Sequence, residues 1–220
     1  MNIKRLKNCL LTTVLLTTVV ACQSTDKVNN ANSPALTLKQ IYQKNEFSSD
    51  HIGQIRWLAD GSGYTSIENS AATHTDETGK TVSIGKDIVV YDPETLHREV
   101  LISAAQLTPT NADKPLTIDN YIWSADRKKL LIYTNSQKVW RSNSRGDYWL
   151  LDINNNSLTQ LGGKKVATSS LMFAKFSPDA TKVAYVVNNN IYVESLANNK
   201  IIQLTTDAGN GIINGLFDWV

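Results

Sequence analysis

Cysteine is nearly absent from this 220-residue chain: it has two, Cys9 and Cys22, and residues 23–220 contain none. That excludes a disulfide framework, a thiolate metal site and a redox role for most of the chain, so the fold must be held by its core alone. An excess of charge of one sign is also lacking. Lys and Arg number 22 against 20 Asp and Glu, and three of the basic residues, Lys4, Arg5 and Lys7, fall in the first 21 positions. Beyond those positions the balance is 19 basic to 20 acidic, with the basic residues scattered, which excludes a dedicated nucleic-acid binder. The apolar stretch Cys9–Val20 holds twelve residues, interrupted by Thr12, Thr13, Thr17 and Thr18. A membrane-crossing helix needs roughly 20. What the chain does have is apolar content, 41% against 19% charged, enough for a packed core and too much for disorder.

The two ends and an internal repeat carry the rest. Met1–Asn8 is short and basic and leads into the Cys9–Val20 stretch, so residues 1–21 read as a secretory signal. The segment closes with Val19-Val20-Ala21-Cys22, which resembles the lipobox of bacterial lipoproteins. That resemblance implies cleavage before Cys22, a diacylglycerol on its thiol, and, with Gln23 following, an outer-membrane anchor facing the periplasm. Residues 22–35 then comprise the lipidated cysteine and a tether rich in Ser, Asn and Thr. Residues 36–220 form the globular part. It opens with one short helix, on which Leu36, Leu38, Ile41, Tyr42 and Phe47 share a face and Thr37 is the cap.

After that helix the pattern is short strands between Asn, Asp, Gly and Pro turns, for example 87–91, 129–133, 148–152, 182–187 and 190–194. One unit recurs three times: Trp57-Leu-Ala-Asp60-Gly, Trp123-Ser-Ala-Asp126-Arg and Phe176-Ser-Pro-Asp179-Ala. The aromatic supplies core area, and the Asp bonds its own backbone two residues on. A second unit follows each: Val89-Val-Tyr-Asp92 with Leu101, Trp149-Leu-Leu-Asp152 with Leu161, and Ile191-Tyr-Val-Glu194 with Leu204. Two hairpins per repeat make a four-stranded antiparallel sheet. The Asp-to-Asp periods of 66 and 53 residues suit propeller blades with loop insertions. The expected fold is all-β, a partial β-propeller of about three four-stranded blades. Closed propellers need roughly 4–8 blades, so the sequence reads as the N-terminal piece of a longer protein.

Few chemical motifs survive inspection. There is no Gly-x-Ser-x-Gly, and no Ser/His/Asp set can be assembled, so no catalytic residue is assigned. His51, His74 and His97 are isolated and read as solvated loop residues. Gly79-Lys80-Thr81 lacks the first glycine of a P-loop, because position 74 is His. Asp152-Ile-Asn154-Asn-Asn156 fails as a calcium loop at Ser157 and Gly163 and reads as a hairpin turn. Gly209, Gly211 and Gly215 have the wrong spacing for a dinucleotide loop. No metal and no cofactor is expected. The segment left over is 136–147, which lengthens a hairpin of the second blade and carries Trp140, Arg141 and Arg145. An arginine fork suits a carbonyl or carboxylate, and Trp can flank it; a solvated surface loop is the alternative.

Ile118-Asp-Asn-Tyr121-Ile-Trp-Ser-Ala-Asp126, the Trp140-Arg141 segment with Tyr148-Trp-Leu-Leu-Asp152, and Phe176-Ser-Pro-Asp179 form one set of motifs. With Asn190-Ile-Tyr-Val193 and the ending Asn214-Gly-Leu-Phe-Asp218-Trp-Val220, they resemble the N-terminal propeller of dipeptidyl peptidase IV-type serine exopeptidases. The resemblance runs from about Leu36 to the last residue. It implies an eight-bladed propeller capping an α/β-hydrolase domain that removes Xaa-Pro or Xaa-Ala dipeptides from peptide N-termini. It further implies that Arg141 contacts a substrate carbonyl, with Trp140 and Arg145 as weaker candidates, and that such proteins often dimerise. The family's substrate-ammonium Glu pair and its triad are not among these 220 residues, so this chain alone is expected to be inactive. The competing class is a non-catalytic periplasmic propeller, similar to TolB-type propellers, that binds a protein or peptide. Nucleic acid is not an expected partner on either reading.

Overall fold

The computed structural model describes residues 36–44, 46–49, 53–164 and 166–217. The signal segment, Cys22 and its tether, His51 and the Asp218-Trp219-Val220 ending lie outside the described residues. The chain divides after residue 50 into two units.

In the first unit the expected helix is a single π-helical turn, Lys39–Gln43. Thr37 does cap it: its hydroxyl oxygen accepts the Gln40 backbone N–H at 3.2 Å, and its own N–H donates to Gln40 Oε1 at 3.0 Å. That is the reciprocal arrangement of a capping box. The turn is shorter than the expected helix and leaves Leu36 and Phe47 outside it; Leu36, Leu38, Ile41, Tyr42 and Phe47 are all exposed. A run this short lies below the length at which a helix sustains itself without packing.

The second unit is built from three four-stranded antiparallel sheets. Blade 1 contains β1 (Arg56–Trp57), β2 (Tyr64–Asn69), β5 (Lys86–Tyr91) and β6 (Arg98–Ile102). A small hairpin, β3 (Thr73–Thr75) with β4 (Thr81–Ser83), is inserted between β2 and β5. Blade 2 runs β7 (Asn120–Trp123), β8 (Lys129–Val139), β9 (Ser142–Asp152) and β10 (Ser157–Gln160). Blade 3 runs β11 (Met172–Phe176), β12 (Lys182–Val187), β13 (Asn190–Ser195) and β14 (Ile201–Gln203). Each sheet is a meander with strands in chain order, as the paired hairpins of the repeat predict. This is a partial propeller.

The turn chemistry holds at all three repeats. Asp60, Asp126 and Asp179 each accept the backbone N–H two residues on, from Ser62, Lys128 and Thr181 at 3.1, 3.2 and 3.1 Å. The aromatic half of that unit needs correction at Trp57, which is 61% exposed. Strand register supplies the reason. Trp123, Leu130, Leu151 and Leu158 form one cross-strand row, and Phe176, Val183, Glu194 and Ile201 form the matching row in blade 3. Leu130, Leu151 and Val183 are fully buried there. The matching row of blade 1 is Trp57, Tyr64, Tyr91 and Arg98, and no sheet covers it among the described residues.

The acidic member of the second unit takes two different positions. Asp92 and Asp152 accept turn N–H groups, from Glu94 and Asn155 at 2.9 and 3.2 Å. Glu194 instead sits one register step earlier, inside the strand. There it is buried and accepts from Gly162 N–H at 2.9 Å and from the Tyr185 hydroxyl at 3.1 Å.

Cores form between blades because alternate residues of the central strands point to opposite faces. Leu130 and Ile132 pack with Ile88, Ile102 and Leu107 of the preceding blade and its connection. Leu131 and Tyr133 pack with Leu171, Val183 and Tyr185 of the next. A sheet buried on both faces reads as a continuous apolar run, here residues 130–133. Polar links reinforce the stack. Arg56 donates to the Tyr121 carbonyl at 2.5 Å and to Asn120 Oδ1, with its guanidinium 4.6 Å from the Tyr121 ring centre. Thr65 and Tyr121 share a hydroxyl–hydroxyl bond of 2.6 Å.

Candidate functional site

Blade 2 differs from its neighbours in the length of its central hairpin. β8 and β9 have eleven residues each, where the corresponding strands of blades 1 and 3 have six. The segment 136–147, expected to interrupt the hairpin as a loop, is a continuation of it. Val139 pairs with Ser142, so only Trp140 and Arg141 form the turn. Register shifts between Thr134 and Lys138 twist the arm where it leaves the blade.

The base of the arm is fixed by a buried carboxylate. Asp147 accepts the Ser169 backbone N–H with Oδ1 at 2.7 Å and the Asn135 side-chain amide with Oδ2 at 2.9 Å. Ser169 in turn donates its hydroxyl to the Asn135 carbonyl at 2.7 Å. One residue earlier, Gly146 exchanges both backbone hydrogen bonds with Leu171 at 3.0 Å, stitching the arm to the chain entering blade 3. Gly146 is required on steric grounds: a Cβ there would collide with the Tyr133 ring and approach the Thr134 carbonyl oxygen at 2.8 Å.

Tyr133 completes the base. Its hydroxyl lies 2.7 Å from the Arg145 carbonyl and 3.0 Å from that of Asn143, donating into the β9 backbone, and its ring packs 4.7 Å from that of Tyr148. Burial, with the neighbouring Tyr148 and the Asp119 charge adding to it, pushes the Tyr133 hydroxyl up to about 12. Burial likewise raises Tyr148, whose oxygen faces the backbone amides of Ala174 and Phe173. Both phenols therefore stay protonated across the physiological range. Asp119 ties the other strand, accepting the Ser136 N–H at 2.9 Å.

At the tip, Trp140 is 66% exposed, and the Arg141 guanidinium lies 4.4 Å from its ring centre. Among the described residues Arg141 has no carboxylate partner, because the ion pairs found are Lys44–Glu46, Arg98–Glu68 and Arg127–Asp60. A planar cation with open donors, raised on an ordered arm, suits a carbonyl or carboxylate of a ligand. The structure thus brings Trp140 and Arg141 together and leaves Arg145 apart. Arg145 lies four residues along an extended strand, roughly 13 Å from the tip at about 3.3 Å per residue, and its exposed side chain has no ion pair among the described residues. Cys22 lies outside the described residues. No cluster of metal-ligating side chains is found among the described residues, and none of their helices is long and apolar enough to cross a membrane.

Sequence reasoning missed Asp147, Gly146 and Tyr133 as the supports of the arm. A signal for Asp147 was available in the repeat. Asp87, Asp147 and Asn190 occupy the same register position in the third strand of each blade, five residues before Asp92, Asp152 and Ser195, and each is bonded to the chain that has left the blade: Ala104 N–H at 2.7 Å, Ser169 N–H at 2.7 Å and Thr205 Oγ1 at 3.0 Å.

Comparison with known proteins agrees with this geometry. Residues 124–220 match the family model described as the dipeptidyl peptidase IV (DPP IV) N-terminal region. A probable dipeptidyl-aminopeptidase B of Sclerotinia sclerotiorum is 27% identical over 195 residues, covering 87% of this chain and 20% of the relative. The dipeptidyl aminopeptidase B of Saccharomyces cerevisiae is 36% identical over 106 residues, 48% of this chain and 12% of the relative. The chain therefore spans at most about a fifth of these relatives. The crystal structure of Porphyromonas gingivalis dipeptidyl peptidase 4 superposes with a TM-score of 0.59 at 23% identity, over 80% of this chain and 22% of that one; this likeness supports the propeller fold. Together the matches support likeness to the N-terminal region of dipeptidyl peptidase IV-type proteins, with the family model covering residues 124–220.

Proposed function

We propose that this chain is the N-terminal propeller part of an exported serine dipeptidyl peptidase that removes Xaa-Pro or Xaa-Ala dipeptides from peptide N-termini. In this reading the propeller admits and holds the peptide, and the hydrolytic residues belong to a domain outside these 220 residues. The observation that carries it is the Trp140–Arg141 tip. It is a cation without a carboxylate partner among the described residues, held out on a hairpin whose base is locked by Asp147 and Tyr133, in a region matched to the dipeptidyl peptidase IV N-terminal family.

Arg141 donates two N–H groups to a substrate carbonyl near the scissile end. Because the arm is already ordered, little entropy is lost on binding. A hydrogen bond from a charged donor contributes roughly 1.5–3 kcal/mol. Export follows the residue 1–21 signal, and anchoring follows lipidation of Cys22. The activity is tested by expressing the full-length gene product and assaying Gly-Pro-p-nitroanilide. Release of the Gly-Pro dipeptide with p-nitroaniline supports the reading. Specific peptide binding without hydrolysis assigns the chain to a non-catalytic propeller instead.

A further inference from the structure

We propose that Trp140 is a positioning residue: its indole is the platform that holds the Arg141 guanidinium in the orientation that receives a peptide carbonyl. This rests on the role of Arg141 proposed above and extends it to a residue that acts through Arg141. The observation is a mismatch between residue type and backbone. Trp140 has φ +57°, in the left-handed region that a bulky side chain enters at a cost. The turn of blade 3 between β12 and β13 shows which residue type fills left-handed turn positions where no arm is present, although both of its turn residues are left-handed and at the blade 2 tip only Trp140 is. There Val187 pairs with Asn190, and the two turn residues are Asn188 and Asn189, at φ +49° and +59°. Asparagine tolerates this conformation because its short side chain can bond locally.

Neither the turn nor packing explains a tryptophan at the blade 2 tip. The side chain is 66% exposed, and its recorded ring contact is with Arg141, 4.4 Å away. A left-handed residue that serves neither folding nor burial points to a functional constraint. The indole face attracts the cation and narrows its rotamers without consuming N–H donors, since the guanidinium stacks through its plane and its edges stay open. A carboxylate partner would fix the side chain equally well but would occupy those donors.

The test uses the full-length protein with Gly-Pro-p-nitroanilide. Trp140→Asn places at φ +57° a residue that tolerates the left-handed region better, so its thermal midpoint should equal or exceed that of the wild type. Its kcat/KM should nevertheless fall about two- to fivefold, carried by KM, and Trp140→Phe should recover most of the loss. The Trp140→Asn/Arg141→Ala double variant should match Arg141→Ala alone, because the platform has nothing left to position. A Trp140→Asn enzyme with wild-type kcat/KM, beside an impaired Arg141→Ala enzyme, overturns the platform role and leaves the role of Arg141 standing. An equal further loss in the Arg141→Ala background overturns it too, since Trp140 would then touch substrate itself. Wild-type kinetics for Arg141→Ala, or no hydrolysis by the wild type, overturns both.

Discussion

Asp147 and Ser169, 22 residues apart, are joined by a 2.7 Å hydrogen bond from the Ser169 backbone N–H to a carboxylate that is 6% exposed. This contact ties the root of the blade 2 arm to the chain entering blade 3. It is the reason the hairpin arm, residues 136–147, stands ordered beyond its sheet. Replacing Asp147 with Ala leaves the Ser169 N–H and the Asn135 amide without an acceptor. An orphaned buried donor costs about 1–3 kcal/mol. Asp147→Ala should therefore lower the urea midpoint by that amount divided by the m-value, while Asp147→Asn, which keeps one acceptor oxygen, should lose less. Equal midpoints for wild type and Asp147→Ala would show that the arm does not depend on this contact.

Gly146 is predicted to tolerate no side chain. A Cβ at this position meets the Tyr133 ring and the Thr134 carbonyl at once, and both belong to a core that cannot shift freely. Gly146→Ala should cost about 1–3 kcal/mol through overpacking. It should also lower the affinity of the tip for peptide, because displacing Gly146 disturbs the two backbone bonds to Leu171 that fix the base of the arm. Gly79→Ala is the control for peptide affinity: at φ +80° it carries backbone strain of its own, but in an exposed turn with nothing within 4 Å of a Cβ and away from the arm. A comparable loss of peptide affinity in both variants would contradict this role for the base of the arm.

The three repeat turns predict an acid-sensitive stability. Asp179 is pulled down to about 2, chiefly by the Ser177 hydroxyl and then by the Thr181 N–H and hydroxyl; Asp60 and Asp126 are lowered by the same kinds of bonds. The folded-state value lies below the ordinary 3.8, so each turn stabilises the fold above that pH. The contribution is lost as pH falls toward about 2. Wild-type protein should lose stability through this window, and an Asp179→Ala variant should show a shallower fall, converging with wild type at the acid end. Parallel curves for the two proteins would remove these turns from the acid response.

Targeting gives a prediction outside the described residues. Cys22→Ser should release the protein from the membrane fraction, because the several acyl chains of a lipoprotein anchor stably where a single chain binds only marginally. Mass spectrometry of the mature N-terminus should find the lipid on wild-type protein. A soluble, unlipidated wild type would remove the anchor.

How much of this was legible beforehand depended on whether local chemistry or register decided the outcome. The Asp60, Asp126 and Asp179 turns were readable because a carboxylate two residues from an N–H needs no tertiary information. The β12 strand matched its expected span for a similar reason, its Lys182–Val187 run being bounded by turn residues on both sides. The buried role of Glu194 was not readable, because a one-residue shift in register moves a side chain from the turn into the buried row and spacing to Leu204 does not reveal it. Trp57 was misassigned because its row is buried only where another sheet lies against it. At the tip the sequence showed Trp140 and Arg141 as neighbours. Their stacking, and the support from Asp147 and Tyr133, depend on a hairpin that continues past residue 135 through two register shifts.

The central claim, that Arg141 holds a substrate carbonyl, is tested most directly by one ratio. In the full-length protein, kcat/KM for Gly-Pro-p-nitroanilide is measured for Arg141→Ala and for Arg145→Ala, which remove the same charge from the same arm roughly 13 Å apart. The account predicts a loss of about ten- to a hundredfold for Arg141→Ala, with little recovery in Arg141→Lys, and a near-wild-type value for Arg145→Ala. Equal losses in the two alanine variants would mean that the arm acts through its general positive field, and the carbonyl contact at Arg141 would be wrong.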